Sequence, residues 1–496
     1  MPLERDEGEY AYAGQLLLQA IPPYQIAYNM KLPGTYAAYA VIMAVFGQTA
    51  GGIRIGLLFA NALTILLVYG VGRQIFGELA GAVAGVSYGI LSIGPGVNGF
   101  AAHATHFVVL GAMAGLWLLC RGIARPSSRT LFLAGLFMGL AFLMKQPGAA
   151  FGIFGGLYLL RAQDWSKDHC RGAVRQTAWY IAGAVLPYGL TCLALWRAGV
   201  FAKFWFWTVD YALQYGSNAG HAALYFLNNV PQIIHSAIAL WLLASVGLTA
   251  FFWNPRVRPR AEFLGGLFLF SGLAVSAGFY FRFHYFILLL PALSFSIGIA
   301  VSSATAWAEK PAGLLPYFPV SIFVLCCISA LLQQEYFFFR ADPISASRQV
   351  YPADPFPEAA AVSLYIEQHT SPADSIAVLG SEPQIFFYSR RHAATGYLYS
   401  YSLMEEQKYA PTMQREEISE IEARRPVYIV FASDWMILPH SDRTFLRWAD
   451  QYLKQNYELI GVMRERDGLQ LRATGKTVGE HEYSNGSLFV FRRIAS

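Results

Sequence analysis

Two short stretches near the start of the chain combine charged side chains with apolar surroundings. Residues 5–10 read RDEGEY and hold three carboxylates, and residues 28–33 read YNMKLP and hold a lysine. Both lead into long apolar sequence. Charge is costly beside a bilayer, so ionisable groups there are often functional. We therefore take Asp6 and Glu7 as candidate catalytic carboxylates and Lys31 as a candidate anion-binding cation.

Each of these groups also has a simpler structural explanation. Residues Gly8–Ile21 predict a short amphipathic helix at the membrane surface. Asp6 is able to cap this helix, with Glu9 completing a capping box. Residues this close to a chain end also tend to fray. Lys31 alone would be an interfacial lysine whose ammonium reaches water. Taken singly, Asp6 is better explained as a cap or a frayed residue than as a catalytic group.

Other polar groups interrupt apolar sequence further along the chain. Lys145 precedes a proline in residues 143–147 (LMKQP), and Arg282 and His284 lie in residues 281–285 (FRFHY). Asn98, His103 and His106 lie in another loop. The topology predicted below places all of these groups on the face of the membrane that holds Asp6. A cationic pocket opposite carboxylates suits a substrate that carries a phosphate on a lipid.

The composition requires a membrane environment. The 496-residue chain is 55% hydrophobic and 14% charged, with a mean hydropathy of +0.38. A soluble domain carries about 25% charged residues, so the deficit indicates a bilayer. The net charge of +5 is small and lies in a few loops, so it indicates no nucleic-acid partner. The five cysteines form no CxxC pair and predict neither a disulfide framework nor a zinc site.

About ten long apolar runs predict transmembrane helices, because only helices satisfy the backbone in runs of this kind. They lie near 52–73, 79–96, 102–120, 130–145, 148–161, 177–197, 232–253, 262–279, 283–303 and 314–333. A shorter apolar piece covers 33–46. Arginine and lysine concentrate in the loops at 121–129, 161–175 and 254–260, which predicts that these loops are cytoplasmic. Residues 5–10 and everything after Gln334 then lie on the opposite side.

The last part of the chain has a different character. It is more charged, and short strands alternate with helices, which predicts an α/β domain outside the membrane. Strands are predicted at Ser375–Gly380, Val427–Phe431, Leu459–Arg464 and Leu488–Arg492, and helices at Glu358–Gln368, Glu416–Ala423 and Thr444–Asn456. The segment contains no glycine-rich phosphate loop.

The ordered set of motifs resembles the GT-C glycosyltransferases of family 39, which include the bacterial aminoarabinose transferase of lipid A, the protein O-mannosyltransferases and rhizobial core transferases. The matching features are an Asp-Glu pair, a later Lys-x-Pro, a membrane-embedded Lys-Gln-Pro and an Arg-x-His-Tyr. The resemblance covers roughly residues 4–300. It implies a polytopic α-helical membrane protein of GT-C type over 1–335, with a C-terminal extramembrane α/β domain over 336–496.

The resemblance also implies roles for individual residues. Asp6 is expected to take the proton from the acceptor hydroxyl, with Glu7 beside it. The phosphate of a polyprenyl-phosphate sugar donor is expected to bind Lys31, Lys145, Arg282 and His284. Substrate-binding roles are expected for Tyr10, Tyr28, His103, His106 and Tyr285. Fixed cations stabilise a leaving phosphate without a metal, so neither a metal nor another cofactor is expected.

The sequence departs from the family pattern in two places. Members often carry an acid in the second external loop, but residues 101–106 read AAHATH, so His103 or His106 is the candidate substitute. The first span of the family also has no counterpart. Because an external N-terminus needs a means of export, we expect a first helix upstream of these residues.

The resulting prediction is an inverting glycosyltransferase of the bacterial inner membrane. It would move a monosaccharide from a polyprenyl-phosphate donor to an envelope lipid, glycan or protein on the periplasmic face. Its partners would be these substrates and membrane lipid. A protein O-mannosyltransferase is the alternative within enzymes, and a transporter or flippase for lipid-linked sugars is the alternative from another class. The soluble domain favours the transferase, since transporters seldom need one.

Overall fold

The membrane part of the chain is a bundle of helices. The computed structural model describes residues 1–215, 219–308, 317–432, 443–464, 468–471 and 488–494. The helices of the bundle are α1 (Arg5–Leu18), α2 (Gly34–Phe46), α3 (Ala50–Phe76), α4 (Glu78–Leu91), α5 (Ala104–Ala124), α6 (Ser128–Met144), α7 (Ala149–Ala162), α8 (Cys170–Arg197), α9 (Phe201–Trp205), α10 (Ala212–Tyr215), α11 (Ala222–His235), α12 (Ile238–Trp253), α13 (Ala261–Ser276), α14 (Leu290–Ala308) and α15 (Phe318–Leu332).

Four helices in the described ranges are long and apolar enough to cross a bilayer. They are Ala50–Phe76, Ala104–Ala124, Cys170–Arg197 and Phe283–Ala308, the last being a 3-10 segment that continues into α14. The pair α11 and α12 adds a fifth if its two halves form one span. The chain is therefore a multi-pass membrane protein. Every predicted apolar run contains a helix, but most of these helices are shorter than the ~20 residues that a single span needs.

The span predicted over 232–253 is not one continuous helix. Helix α11 ends at His235, α12 begins at Ile238, and their axes differ by 100°. Pro231 lies in the last part of α11 and removes one backbone donor from the helix, which favours a break. The side-chain amide of Gln334 donates to the carbonyl of Ser236 at 3.0 Å and satisfies a backbone group that the break leaves without a helical partner.

The extramembrane domain contains a mixed six-stranded sheet. Its elements are α16 (Pro343–Val350), α17 (Phe356–Gln368), β1 (Ser375–Leu379), α18 (Gln384–Ser389), β2 (His392–Ala393), α19 (Tyr401–Met404), α20 (Ala410–Arg424), β3 (Tyr428–Ala432), α21 (Thr444–Asn456), β4 (Tyr457–Arg464), β5 (Gly468–Leu471) and β6 (Leu488–Arg493). The strand order is β2-β1-β3-β6-β4-β5; β1 pairs in parallel with β2 and β3, and the other pairs are antiparallel. The four predicted strands and three predicted helices are confirmed.

Helix α1 lies between the other helices of the bundle and the extramembrane domain. It packs against α2 on one side and α18 on the other, and a shared apolar cluster joins Leu16, Met43 and Ile385. Gly8 permits the close approach, because a Cβ at this position would lie 2.6 Å from Gln384. The prediction that this helix is a surface helix over Gly8–Ile21 is therefore wrong. The helix begins at Arg5, ends at Leu18 and is largely buried between two parts of the fold.

Candidate active site

The start of α1 is capped by Glu4, and this frees Asp6 from a structural role. The Glu4 carboxylate accepts the backbone N–H of Glu7 at 2.8 Å, and Glu7 accepts the N–H of Glu4 at 3.4 Å, which closes a capping box. The predicted cap by Asp6, with Glu9 as its partner, is wrong. Asp6 lies in the first turn, where the helix fixes the direction of its carboxylate and the helix dipole favours negative charge.

Asp6 and Glu9 share one cation. The Nζ atom of Lys31 lies 2.8 Å from Oδ1 of Asp6 and 2.5 Å from Oε2 of Glu9. The same ammonium lies 4.6 Å from the centre of the Tyr10 ring. Side chains three residues apart occupy one side of a helix, and this brings both carboxylates to Lys31. Residues 5–10 and 28–33 thus meet in one ion-pair cluster.

Two tyrosines that the sequence did not single out complete this cluster. The hydroxyl of Tyr36 donates to Oε1 of Glu9 at 2.5 Å. The hydroxyl of Tyr399 donates to Oε2 of Glu9 at 2.9 Å and lies 3.5 Å from Oδ1 of Asp6. Tyr399 belongs to the extramembrane domain, so the candidate site lies where this domain meets the bundle. A tyrosine in a chain with 29 of them carries no sequence signal of its own.

Burial and the shared cation determine the charge of the cluster. Burial alone would raise the pKa of Asp6, but Lys31 holds it well below its usual range. Burial raises the pKa of Glu9. Burial would lower the pKa of Lys31, but the two carboxylates beside it raise that pKa well above its usual value. At neutral pH, Lys31 is therefore a cation and Asp6 an anion.

Glu7 points away from this cluster. Its two carboxylate oxygens bind the guanidinium of Arg54 on α3, with 2.7 Å between Nη2 and Oε2, and Oε1 also accepts the backbone N–H of Ala102 at 2.6 Å. The Glu7 side chain is completely buried. The structure thus places Glu7 among structural contacts that hold α1 against α3 and the 98–103 loop. Its assignment as a catalytic group is not supported by this geometry.

Lys145 is a cation with an aromatic contact. It lies between α6 and a short 3-10 turn, at Gln146–Gly148, and its Nζ atom lies 3.9 Å from the centre of the Tyr285 ring. Among the described residues, no carboxylate pairs with it. Burial lowers the pKa of Lys145 to about 7, and Asp6 is the anion that opposes this shift. A phosphate that entered the site would restore its full charge.

Arg282 follows a turn with unusual backbone geometry. Phe279 and Phe281 have φ angles of 60° and 44°, which non-glycine residues seldom adopt. The turn places Arg282 ahead of the span that begins at Phe283, with its guanidinium carbon 5.4 Å from the Tyr280 ring. Lys31 and Arg282 both lower the pKa of Asp6, so the two cations and the carboxylate share one electrostatic environment.

Two histidines lie beside Asp6. The rings of His103 and His284 stack with 4.0 Å between their centres. Ligand atoms of Asp6, His103 and His284 lie within 4.8 Å of one another. Neither ring nitrogen of His103 has a hydrogen-bond partner in the part of the chain that the structure describes, and burial lowers the pKa of His103 to about 3, so the ring is neutral. These three residues fit a divalent cation such as Zn²⁺, which prefers nitrogen and oxygen ligands. His103, rather than His106 one turn along α5, is the histidine beside Asp6.

Tyr28 contacts the extramembrane domain instead of the carboxylate cluster. Its hydroxyl donates to Glu420 on α20 at 2.9 Å, its backbone N–H donates to Gly396 at 2.6 Å, and its ring stacks on Trp207. The Nζ atom of Lys203 lies 4.5 Å from the same ring. Tyr28 therefore joins the two parts of the protein next to the site. Tyr10 likewise supports Lys31 through its buried ring.

Arg5 holds the carboxylate end of α1 against the extramembrane domain. Its guanidinium Nη2 lies 2.6 Å from Glu382 and 2.9 Å from Asp354, and its Nε donates to the Ser381 carbonyl at 2.5 Å. Glu382 is completely buried. Since Asp6 is the next residue, this clamp orients the carboxylate relative to Tyr399. No local sequence pattern indicates these partners of Arg5, which lie about 350 to 380 positions away.

An apolar groove of about 650 Å³ reaches the same region. It is lined by residues of α1, α2, α3, α5, α6 and α8 together with the loop before α2. Pro33 and Gly34, near Lys31, line its wall, and so do Leu143 and Met144, next to Lys145. The groove therefore offers an apolar binding surface that ends near two of the cations.

Known proteins match both the sequence and the fold. Residues 31–196 match the family described as dolichyl-phosphate-mannose-protein mannosyltransferase. Two curated relatives are named undecaprenyl phosphate-alpha-4-amino-4-deoxy-L-arabinose arabinosyl transferase. The protein from Pseudomonas paraeruginosa (strain PA7) is 29% identical over 52% of this chain and 48% of its own length. The protein from Pseudomonas aeruginosa (strain UCBPP-PA14) is 29% identical over 44% of this chain and 41% of its own length.

Solved structures extend the match to the whole chain. ArnT from Cupriavidus metallidurans bound to undecaprenyl phosphate superposes with a TM-score of 0.62 at 16% identity, covering 100% of this chain and 94% of that one. The chain has the GT-C fold. The archaeal oligosaccharyltransferase AglB from Archaeoglobus fulgidus gives a TM-score of 0.53 at 14% identity, covering 98% of this chain and 72% of that one.

These matches confirm the GT-C resemblance, with a helical membrane part and an extramembrane sheet domain in one chain. The sequence matches span less than half the length of the curated relatives. At 16% and 14% identity, the structural matches establish the fold.

Proposed function

We propose that this GT-C protein is an inverting glycosyltransferase that uses a polyprenyl-phosphate-linked monosaccharide. The observation that carries the proposal is Lys145, a cation without a carboxylate partner among the described residues that shares its electrostatic surroundings with Asp6 and Lys31. Its chain neighbours Leu143 and Met144 line the apolar groove. A phosphate on an isoprenoid chain meets both requirements. Its anion would bind the cations, and its chain would lie in the groove. The curated relatives are named for undecaprenyl-phosphate sugar transfer, and this supports the donor class.

Asp6 would act as the general base. In an inverting transfer, the acceptor oxygen attacks the anomeric carbon, its proton passes to a carboxylate, and the bond from the anomeric carbon to the phosphate oxygen breaks. A carboxylate with a very low pKa is a weak base, and the resting Asp6 is held in that state by Lys31. A donor phosphate on the third N–H of Lys31 would share the positive charge of the ammonium with Asp6. When the ion pair between Asp6 and Lys31 weakens, burial becomes the main influence on the pKa of Asp6 and raises it. Asp6 then becomes a stronger base.

Glu9, which accepts hydrogen bonds from the hydroxyls of Tyr36 and Tyr399, would keep Lys31 in place while the phosphate binds. An ammonium has three donors, and Asp6 and Glu9 accept two of them, so the third suits the phosphate. Lys145 and Arg282 would add positive charge on the leaving phosphate, where negative charge develops in the transition state. A divalent cation held by Asp6, His103 and His284 would supply further positive charge. The steps above use only side chains of this chain.

The active face would lie on the periplasmic side of a bacterial inner membrane. Helix α3 begins near Asp6, where Arg54 pairs with Glu7, and ends near Arg260, whose Nε donates to the Ile75 carbonyl at 3.3 Å. The loops rich in arginine thus lie at the end of the bundle opposite the site. The positive-inside rule assigns these loops to the cytoplasm. The extramembrane domain, which supplies Tyr399, would then be periplasmic.

The proposal is tested by mass spectrometry of envelope material from cells with and without the protein. An envelope lipid, glycan or protein should lose one sugar residue in the cells that lack it. Expression of the intact chain should restore that mass, and expression of the Asp6→Asn variant should not. Unchanged envelope lipids, glycans and proteins in the deletion strain, together with accumulation of lipid-linked sugar on one face of the membrane, would instead indicate a transporter.

A protein acceptor is the second candidate, because the family matched by residues 31–196 is described as a protein mannosyltransferase. The same comparison of cells distinguishes the two. Loss of a hexose from periplasmic proteins would assign the chain to protein glycosylation. Loss of a sugar from a lipid or glycan would assign it to envelope lipid modification, the reaction class for which the curated relatives are named.

A further inference from the structure

A second groove lies on the outside of the bundle, far from Asp6. It has a volume of about 560 Å³ and is formed by the second half of α3 and the last turns of α5. Its lining residues are Leu63, Leu66, Leu67, Tyr69, Gly70, Arg73, Gln74, Trp117 and Arg121. Nineteen residues of helix separate Arg54 from Arg73, which is about 28 Å. This groove is therefore distinct from the apolar groove near Lys145.

One end of the groove carries two guanidinium groups. Arg121 lies over the Trp117 ring with 4.3 Å to its centre, and no carboxylate pairs with it among the described residues. Arg73 lies at the end of the same groove, and its Nε is 2.6 Å from Glu78. Arginine binds phosphate through two parallel hydrogen bonds, so this end suits a phosphate group. One carboxylate beside two arginines leaves a net positive charge.

The rest of the groove is apolar and runs towards the middle of the bilayer. Leu63 and Leu66 are 50% and 64% exposed, so they present a surface that lipid can cover. From Leu63 to Arg73 the helix rises about 15 Å, which equals half of the ~30 Å hydrocarbon core. Gly70 keeps the floor open, because a Cβ there would lie 3.0 Å from the Trp117 ring. Apolar walls at acyl depth and arginines at headgroup depth match the dimensions of a phospholipid.

We propose that this groove binds one anionic phospholipid of the leaflet that faces the basic loops. Its phosphate would lie between Arg73 and Arg121, and an acyl chain would lie along the leucines. Charge complementarity selects an anionic lipid over a zwitterionic one, because an ammonium in the headgroup would be repelled by the two arginines. The proposal does not depend on the reaction proposed for the Asp6 site.

The test is native mass spectrometry of delipidated protein titrated with phosphatidylglycerol or with phosphatidylethanolamine of the same acyl chains. Both lipids carry the phosphate, so the difference comes from the ammonium of phosphatidylethanolamine. We expect phosphatidylglycerol to bind about tenfold more tightly, which corresponds to about 1.4 kcal/mol of repulsion between that ammonium and the arginines. The double variant Arg73→Gln/Arg121→Gln should lose the preference. The matched control Arg125→Gln/Arg129→Gln removes two exposed arginines that do not line the groove and should keep it.

Other outcomes would overturn the proposal. Equal binding of the two lipids, or a preference that survives in the double variant, would mean that the groove holds no specific anionic lipid. Selective displacement of phosphatidylglycerol by undecaprenyl phosphate, lost in the double variant, would assign the groove to the carrier lipid instead. Thermal unfolding of each variant in detergent shows whether it is folded. If the double variant is unfolded, the single variant Arg121→Gln takes its place and should show a reduced preference for phosphatidylglycerol.

Discussion

Lys145 makes the account of the phosphate site testable through pH. Burial lowers its pKa to about 7, so the charged fraction falls from about nine-tenths at pH 6 to about one-tenth at pH 8. Only the charged form attracts a phosphate. The value of kcat/KM for the lipid-linked donor should therefore fall as the pH rises through 7, by up to about tenfold between pH 6 and pH 8. Lys145→Arg keeps its charge throughout this range and should remove that part of the profile.

Lys145→Met carries no charge at any pH, so its deficit relative to the wild type should be largest at pH 6, where the wild-type lysine is charged. A charge-assisted contact is worth about 1.5–3 kcal/mol, so Lys145→Met should raise the donor KM or lower kcat by about 10- to 150-fold. The assay is transfer by purified protein over a pH series, with Lys167→Met, on an exposed loop, as the matched control. Normal kinetics in Lys145→Met would make Lys145 an interfacial anchor. An unchanged pH profile in Lys145→Arg would show that Lys145 is not the group whose titration near pH 7 lowers kcat/KM.

Three further predictions follow from the contacts around the cluster. Glu7→Gln leaves the buried Arg54 without its anion and should lower the unfolding free energy by about 3–5 kcal/mol, measured by thermal or denaturant unfolding. The control Glu262→Gln breaks an exposed pair and should lower it by at most about 1 kcal/mol. Equal effects of the two substitutions would contradict a structural role for Glu7. Tyr399→Phe removes the hydroxyl that donates to Glu9 and should lower kcat about tenfold with little change in the donor KM. An unchanged kcat would show that this contact from the extramembrane domain does not affect catalysis. Transfer should persist in EDTA, because fixed cations would surround the phosphate of the donor. Loss of activity in EDTA that zinc restores in the wild type, but not in His103→Ala, would show that the reaction requires a metal.

The elements of the fold were predictable where one physical property dominates. Long apolar runs specify helices in a bilayer, and a short run of β-branched and aromatic residues at Val427–Phe431 specifies a buried strand. The bend at Ser236 was missed because hydropathy does not distinguish a helix from two helices joined at a break. The strand at His392–Ala393 has only two residues and is defined by its pairing with β1. The sequence around it carries no period to detect.

The site was predictable where charge interrupts apolar sequence, and this identified Asp6, Lys31 and Lys145. The cap was misassigned because aspartate is a preferred capping residue and glutamate is not, so Glu4 attracted no notice. The partner of Glu7 could have been found, since Arg54 is itself a charge inside an apolar helix.

The contributions of the extramembrane domain could not be predicted, because they depend on how two separately folded parts meet. Tyr399 reaches Glu9 across 390 positions, and Arg5 reaches Glu382 across 377. No local pattern encodes such distances. The extramembrane domain packs against α1, and this contact explains why the charged residues of α1 are buried.

The central claim is that Asp6 accepts the proton in an inverting transfer, and Asp6→Asn tests it most directly. Because Glu4 caps α1, the substitution removes no cap and should leave the protein folded. The measurement is release of undecaprenyl phosphate from an undecaprenyl-phosphate sugar by purified protein with envelope acceptor. We expect the variant to bind the donor and to transfer about 10²–10⁴-fold more slowly than the wild type. Near-normal transfer by Asp6→Asn would contradict the account and place the base elsewhere.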